Sequence, residues 1–306
     1  MSAVAAVEVP IWRFYGVTVA AVTRLSPSFV RVTLTGPDLD ELADNGYDQR
    51  VKLLLPAADG GFAHLAEGAG SAGWYTDWRL LPAEARPPIR TYTVRGVRPG
   101  LREVDIDMVL HGDSGPASRF ASGAQVGDVA MLMGPNSRYD GRHGGLEFRP
   151  PATHVGPTLL VGDETAVPAV LSIIDRLPAD AFGEAVLEVP DAGDITDVPV
   201  PTDFRITWLV RGHGTTSGLP TGVREAVERI GVAALAGPQE VPGDGSADDE
   251  PLWDVPEDAR ASGLYAWLAG ESSVITGLRR YLVRERGVDR RGVAFMGYWK
   301  AGRPEC

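Results

Sequence analysis

A single cysteine, Cys306, is the only thiol in this sequence. That excludes an intrachain disulfide, a cysteine-built zinc site and an iron–sulfur cluster on four thiolates, so redox chemistry would need a bound organic cofactor. Long apolar runs are also lacking. The longest, such as Val51–Pro56 and Thr158–Gly162, are far too short to span a bilayer, and the N-terminus lacks the basic start and cleavage site of a secretory signal. The chain is therefore expected to be soluble and cytoplasmic, without stable membrane association. Basic residues are outnumbered, with 29 Lys and Arg against 41 Asp and Glu, and the net charge of -12 argues against nonspecific binding to nucleic acid or an anionic membrane surface. An anionic small ligand would need a local basic pocket set against that average. There is no internal repeat and no Gly-x-Gly-x-x-Gly fingerprint.

With 306 residues, 44% of them hydrophobic, the chain is long enough for two domains of ordinary size. The first half reads as short strands rich in Val, Leu, Ile and Thr: Gly16–Arg24, Phe29–Gly36, Arg50–Pro56, Arg90–Val97, Val104–Gly112 and Asp128–Gly134. Six such strands predict a small antiparallel barrel. Around Gly141–Pro157 the composition shifts to Gly, Pro, His and Arg, which sets a domain boundary between 11–150 and 157–306.

Beyond it strands and helices alternate. Strands are predicted at Thr158–Val161, Ala185–Val189, Arg205–Val210, Leu264–Leu268 and Val293–Tyr298, and helices at Thr165–Leu177, Val223–Ile230 and Ser272–Arg286. This half reads as an open parallel sheet with helices on its faces. Residues 237–258 carry eight acidic residues and no basic one, the composition of a solvated loop or disordered insertion.

Two segments carry candidate chemistry. In Arg90-Thr91-Tyr92-Thr93, strand alternation puts Arg90 and Tyr92 on one face and Thr91 and Thr93 on the other. Arg offers a forked donor for a pyrophosphate, Tyr a flat ring, and Thr a hydroxyl for a flavin ring atom, although a plain amphipathic strand could carry the same residues. In His111-Gly112-Asp113-Ser114-Gly115-Pro116-Ala117-Ser118 a strand ends, glycines permit a tight turn and Pro116 suits a first helical turn. Its N–H groups could receive a pyrophosphate, and an ordinary Gly-Pro helix start is an equal reading. His64, His143, His154 and His213 lie in loops without carboxylates at ligand spacing, so no metal site is expected. The Gly212–Gly218 loop reads as a flexible connection.

Together, in order and spacing, these segments resemble the flavin-binding motifs of the siderophore-interacting protein family: the Arg-x-Tyr-Thr strand, then Asp-x-x-x-His-Gly-x-x-Gly-Pro-Ala-Ser from Asp107 to Ser118. The resemblance continues through Leu160–Ala169, Ala269–Ser272, Leu278–Leu282 and Gly297–Gly302. It implies an N-terminal antiparallel FAD-binding β-barrel followed by an open parallel-sheet nicotinamide-binding domain. Arg90, Thr91, Tyr92 and Thr93 would hold the flavin. Asp107, His111, Gly115, Ala117 and Ser118 would form the pyrophosphate and adenosine side. Gly162, Asp163, Glu164 and Thr165 would form the nucleotide-binding turn for NADPH or NADH. Trp299, near the end of the last strand, reads either as core or as an aromatic over the open flavin face. Lys52, Arg280 and Lys300 would receive an anionic ferric siderophore. The implied activity is FAD-mediated reduction of chelated Fe(III) by a monomeric NAD(P)H-dependent enzyme with no protein acid, base or nucleophile. A general NAD(P)H:flavin or quinone reductase, a siderophore-binding flavoprotein carrier and a reductase fed by another electron donor are the alternatives.

Overall fold

The structure, a computed structural model, describes residues 9–58, 61–62, 73–110, 115–212, 216–231, 253–255 and 263–302. They fall into two compact units, one within Met1–Arg24 and Val30–Leu146, the other within Leu25–Phe29 and Glu147–Glu305.

The first unit holds seven strands: β1 (Trp12–Arg24), β2 (Phe29–Thr35), β3 (Arg50–Leu54), β4 (Ile89–Thr93), β5 (Gly96–Arg98), β6 (Glu103–Val109) and β7 (Val129–Pro135). They form one antiparallel sheet in the order β4-β3-β7-β1-β2-β6-β5, curved as a half-barrel. Helix α1 (Trp74–Leu80) lies between β3 and β4 in the chain, and α2 (Pro116–Gly123) between β6 and β7. Alternation explains the core. Val17 and Val19, Val30, Val32 and Leu34, Val51 and Leu53, and Val104, Ile106 and Met108 all bury themselves in one cluster. The residues between them on β6 are buried too, because Arg31 clasps Asp107 with two bonds of 2.7 and 2.9 Å and Arg98 clasps Asp105 at 2.6 and 2.8 Å.

Six strands were expected where seven form. The segment predicted as one strand, Arg90–Val97, divides into β4 and β5 because the chain changes partner between them. The Val94 N–H donates to Gln49 O at 2.8 Å, and the next, Arg95 N–H, donates to Asp105 O at 2.8 Å. One segment thereby supplies both end strands of the sheet.

The second unit contains β8 (Thr158–Gly162), α3 (Val167–Ile174), β9 (Phe182–Val189), β10 (Asp203–Val210), α4 (Leu219–Ile230), β11 (Trp253–Asp254), β12 (Tyr265–Glu271), α5 (Ser272–Arg280) and β13 (Val293–Trp299). Its sheet runs β10-β9-β8-β12-β13-β11. The first five strands are parallel and β11 is antiparallel to β13, so the sheet is mixed rather than wholly parallel. β8 is buried at every residue and β12 at all but its last, as expected where helices cover a parallel sheet. β11 falls inside the segment expected to be an acidic loop, with Trp253 opposite Met296 and its ring stacked near Tyr298 at 5.9 Å. The helix predicted over Ser272–Arg286 is α-helical only to Arg280 and continues as a π turn over Tyr281–Glu285. No helix among the described residues is long and apolar enough to cross a membrane.

Candidate active site

In the first unit the register fixes what stands beside what. Thr91 lies opposite Lys52, Tyr92 opposite Val51 and Arg90 opposite Leu53. Arg90 and Tyr92 therefore share the core-side face, where Tyr92 is half-buried against the apolar cluster, and Lys52 shares the other face with Thr91. The Lys52 ammonium donates to Thr91 Oγ1 at 2.7 Å, and no carboxylate among the described residues pairs with it. Burial, together with the neighbouring Arg50 charge, lowers the Lys52 pKa from its ordinary value. A desolvated cation without a counter-ion is a favourable position for an anion.

Arg90 donates one guanidinium N–H to its neighbour's carbonyl, Ile89 O, at 2.8 Å. Thr93 is buried. Asp107 sits at the centre of an ion-pair cluster, with both oxygens on Arg31 and Arg95 at 3.8 Å. Its carboxylate thus holds β2 and β6 together.

Helix α2 begins at Pro116 with Gly115 before it, and no side chain among the described residues caps it. A Cβ at Gly115 would meet nothing among the described residues within 4 Å. Ala117 is buried in the core and Ser118 is half-buried. N–H groups at a helix start that no described side chain caps fit a phosphate of a dinucleotide such as FAD. His111 lies outside the described residues.

In the second unit the sequence direction reverses between β8 and β12, the switch point at which open α/β sheets form their crevice. Asp163, just beyond β8, is 2% exposed there. Its Oδ1 accepts from the Thr165 N–H at 3.0 Å and Thr165 Oγ1 at 2.5 Å, and its Oδ2 from the Glu271 N–H and the Trp299 indole N–H, both at 2.8 Å. Gly270 has φ +147 and a Cβ there would stand 2.5 Å from Oδ2, so glycine admits this close approach. Burial first, then the adjacent Glu164 charge, push the Asp163 pKa up to about 6 against the bonds from Thr165 and Trp299.

The turn therefore differs from an open phosphate cradle: the Thr165 N–H is held by the Asp163 side chain, and those of Ala166 and Val167 by its carbonyl. Glu271 likewise caps α5, accepting from Ser273 N and Val274 N, and also takes Ala301 N–H at 3.2 Å. Trp299, a candidate to cover the flavin, is tied on its indole side to Asp163 and through its carbonyl to Ser272 Oγ at 2.8 Å.

Sequence reasoning missed Arg211, just past β10, which bridges the buried Glu164 beyond β8 and Glu188 near the end of β9. Its signal was a lone arginine directly after an apolar strand. Lys300 is exposed just past β13, and Arg280 is half-buried at the end of α5. His143 is no free loop histidine, since its Nε2 lies 2.8 Å from Asn136 O.

Two family models match this chain: the siderophore-interacting FAD-binding domain over residues 18–139 and siderophore-interacting protein over 156–302. Ferric vibriobactin reductase ViuB of Vibrio cholerae is 29% identical, covering 92% of this chain and 87% of its own. The NADPH-dependent ferric-chelate reductase of Escherichia coli is 28% identical over 94% of both chains. The crystal structure of the siderophore-interacting protein SipS from Aeromonas hydrophila superposes with a TM-score of 0.64 at 30% identity, over 96% of this chain and 94% of that one. The fold alone is shared with the ferredoxin reductase of carbazole 1,9a-dioxygenase, at TM-score 0.58 and 14% identity over 94% of this chain and 70% of that one. The chain belongs to the siderophore-interacting protein family and is an FAD-binding oxidoreductase with a ferredoxin-reductase-like fold.

Proposed function

We propose that this protein is a cytoplasmic NAD(P)H-dependent ferric-siderophore reductase, in which the first unit binds FAD and the second a nicotinamide nucleotide. The observation that carries the reading is Lys52: a partly buried ammonium with no carboxylate partner among the described residues, bonded to Thr91 of the strand that bears Arg90 and Tyr92. It offers an anion-binding position on the strand paired with the flavin motif, on the sheet face that Thr91 shares, in a chain of net charge -12.

FAD would accept a hydride from the nicotinamide and deliver electrons singly to chelated iron, which loosens the grip of hard oxygen donors on the metal. The chain's own residues position and balance charge. Arg90 and the N-terminus of α2 would hold the pyrophosphate, Tyr92 would pack against the ring system, and Thr93 would orient it. Lys52, with Lys300 and Arg280 from the second unit, would attract the anionic chelate. The self-capped turn at Asp163 means that nucleotide phosphates would rely on donors beyond Thr165–Val167. The relative named as an NADPH-dependent ferric-chelate reductase, similar over nearly the full length, supports a nicotinamide donor.

Anaerobic mixing of the flavoprotein with NADH or NADPH, followed by a ferric siderophore, tests this directly. The flavin absorbance should bleach on the first addition and recover on the second. A flavin that neither nucleotide bleaches would rule out the nicotinamide donor, and one that bleaches but does not recover with the chelate would rule out the reductase.

A further inference from the structure

Resting on the reductase reading, we propose that α1 builds an aromatic shelf beside Lys52 that selects anionic ferric chelates bearing aryl rings, of the catecholate type, over aliphatic ones. The register lays out the ground. Thr91 of β4, Lys52 of β3, Met133 of β7 and Phe14 of β1 are successive cross-strand partners on one face of the sheet. Neighbouring strands stand roughly 4.8 Å apart, so Lys52 stands one strand from the start of an apolar row. Phe14 meets Trp74 of α1 edge-on at 5.3 Å. Trp74 meets Tyr75 at 5.5 Å, and Tyr75 stacks on Trp78 at 5.4 Å with the ring planes 17° apart. One pleat further along β3, roughly 7 Å from Lys52, Leu54 and Ile89 are buried under Trp74 and Trp78.

The foundation is thus packed, while Tyr75 stays 52% exposed on top of it. Trp78 is fixed by its indole N–H, which donates to Pro87 O at 2.9 Å, and by the Arg86 guanidinium 5.2 Å from its ring centroid. A pre-ordered, partly exposed ring pair loses little freedom when another flat ring stacks on it. The charge beside the shelf is positive, with no carboxylate among the described residues paired to Lys52 and Arg50 two residues before it on the strand. An anionic chelate with aryl ligands matches both features, whereas an anionic aliphatic chelate matches only the charge.

Equilibrium dialysis of the FAD-loaded protein with two anionic probes, iron(III) tris-catecholate and iron(III) citrate, tests the inference. Wild type should bind the catecholate complex at least tenfold more tightly. Tyr75→Ala should weaken catecholate binding about fivefold and leave citrate binding within twofold, and Tyr75→Phe should retain wild-type binding. Lys52→Ala should weaken both. Equal affinities for the two probes, or a Tyr75→Ala variant within twofold of wild type on the catecholate complex, would overturn the shelf. Binding as expected, with neither probe reduced when NADH or NADPH is added to the bound complex under anaerobic conditions, would instead count against the reductase reading and leave the shelf standing, so the two failures are distinguishable.

Discussion

Single residues decide the charge balance of both candidate sites. Arg90→Ala should weaken FAD retention by roughly 1.5–3 kcal/mol, the worth of a charge-assisted bond to phosphate, which a flavin-binding titration would read as about a ten- to hundredfold rise in Kd. Asp163 gives a pH signature. Its folded pKa of about 6 lies above the ordinary 3.8, so the folded state binds a proton more readily than the unfolded state. Its contribution to stability is full below about pH 4 and is lost as pH rises through 6. Asn at this position does not titrate, and its NH2 would face two of the four donors that Asp163 accepts from. Urea unfolding should therefore show Asp163→Asn to be less stable than wild type, with the gap narrowing between pH 4 and pH 7. A gap that widens with pH would refute the raised pKa. The acidic Gly-Asp-Glu-Thr run was legible in the sequence as a strand-to-helix turn, but its use of Asp163 as a four-bond hub was not, since two of the donors lie more than a hundred residues away.

At the scale of elements, helix starts contrast sharply. α2 begins without a side-chain cap among the described residues, whereas α5 is capped by Glu271, whose carboxylate also receives Ala301 N–H. Glu271→Ala should cost about 0.5–2 kcal/mol in thermal or chemical unfolding, the usual worth of a cap, and should not affect FAD retention. Strand alternation read from sequence put Arg90 and Thr91 on opposed faces, as the register does. It did not reveal that Arg90–Val97 divides between two strands, because the change depends on which backbone acceptors, Gln49 O and Asp105 O, come within reach. α1 was missed for a related reason: its seven residues are too few for a helical period to stand out, and it is held by packing on Phe14, Leu54 and Ile89.

At the scale of the molecule, the two units make separable predictions. A fragment ending before Gly156 should still bind FAD and should not be reduced by NADH or NADPH, checked by absorbance after anaerobic mixing. Reduction at the wild-type rate would show that the nucleotide does not depend on the second unit. Lys52→Ala and Lys300→Ala should each raise the KM for an anionic ferric siderophore several-fold at low salt while leaving the rate of flavin reduction by nicotinamide nearly unchanged. The difference should shrink as salt rises, because screening weakens attraction to the chelate. Steady-state kinetics at two ionic strengths would test it, and unaltered concentration dependence at low salt in both variants would remove these lysines from the substrate site.

The sequence by itself determined the class of chemistry, the order of strand-rich and strand-helix halves, and the family, because composition, periodicity and short contiguous motifs are properties of the chain read locally. It took the tertiary structure to place Lys52 opposite Thr91 rather than Tyr92, to bond Trp299 to Asp163, and to pack Trp74 and Trp78 with Phe14, Leu54 and Ile89. Each of these joins residues far apart in sequence through strand register or burial, and register is fixed by how whole faces of a sheet are covered rather than by any segment alone.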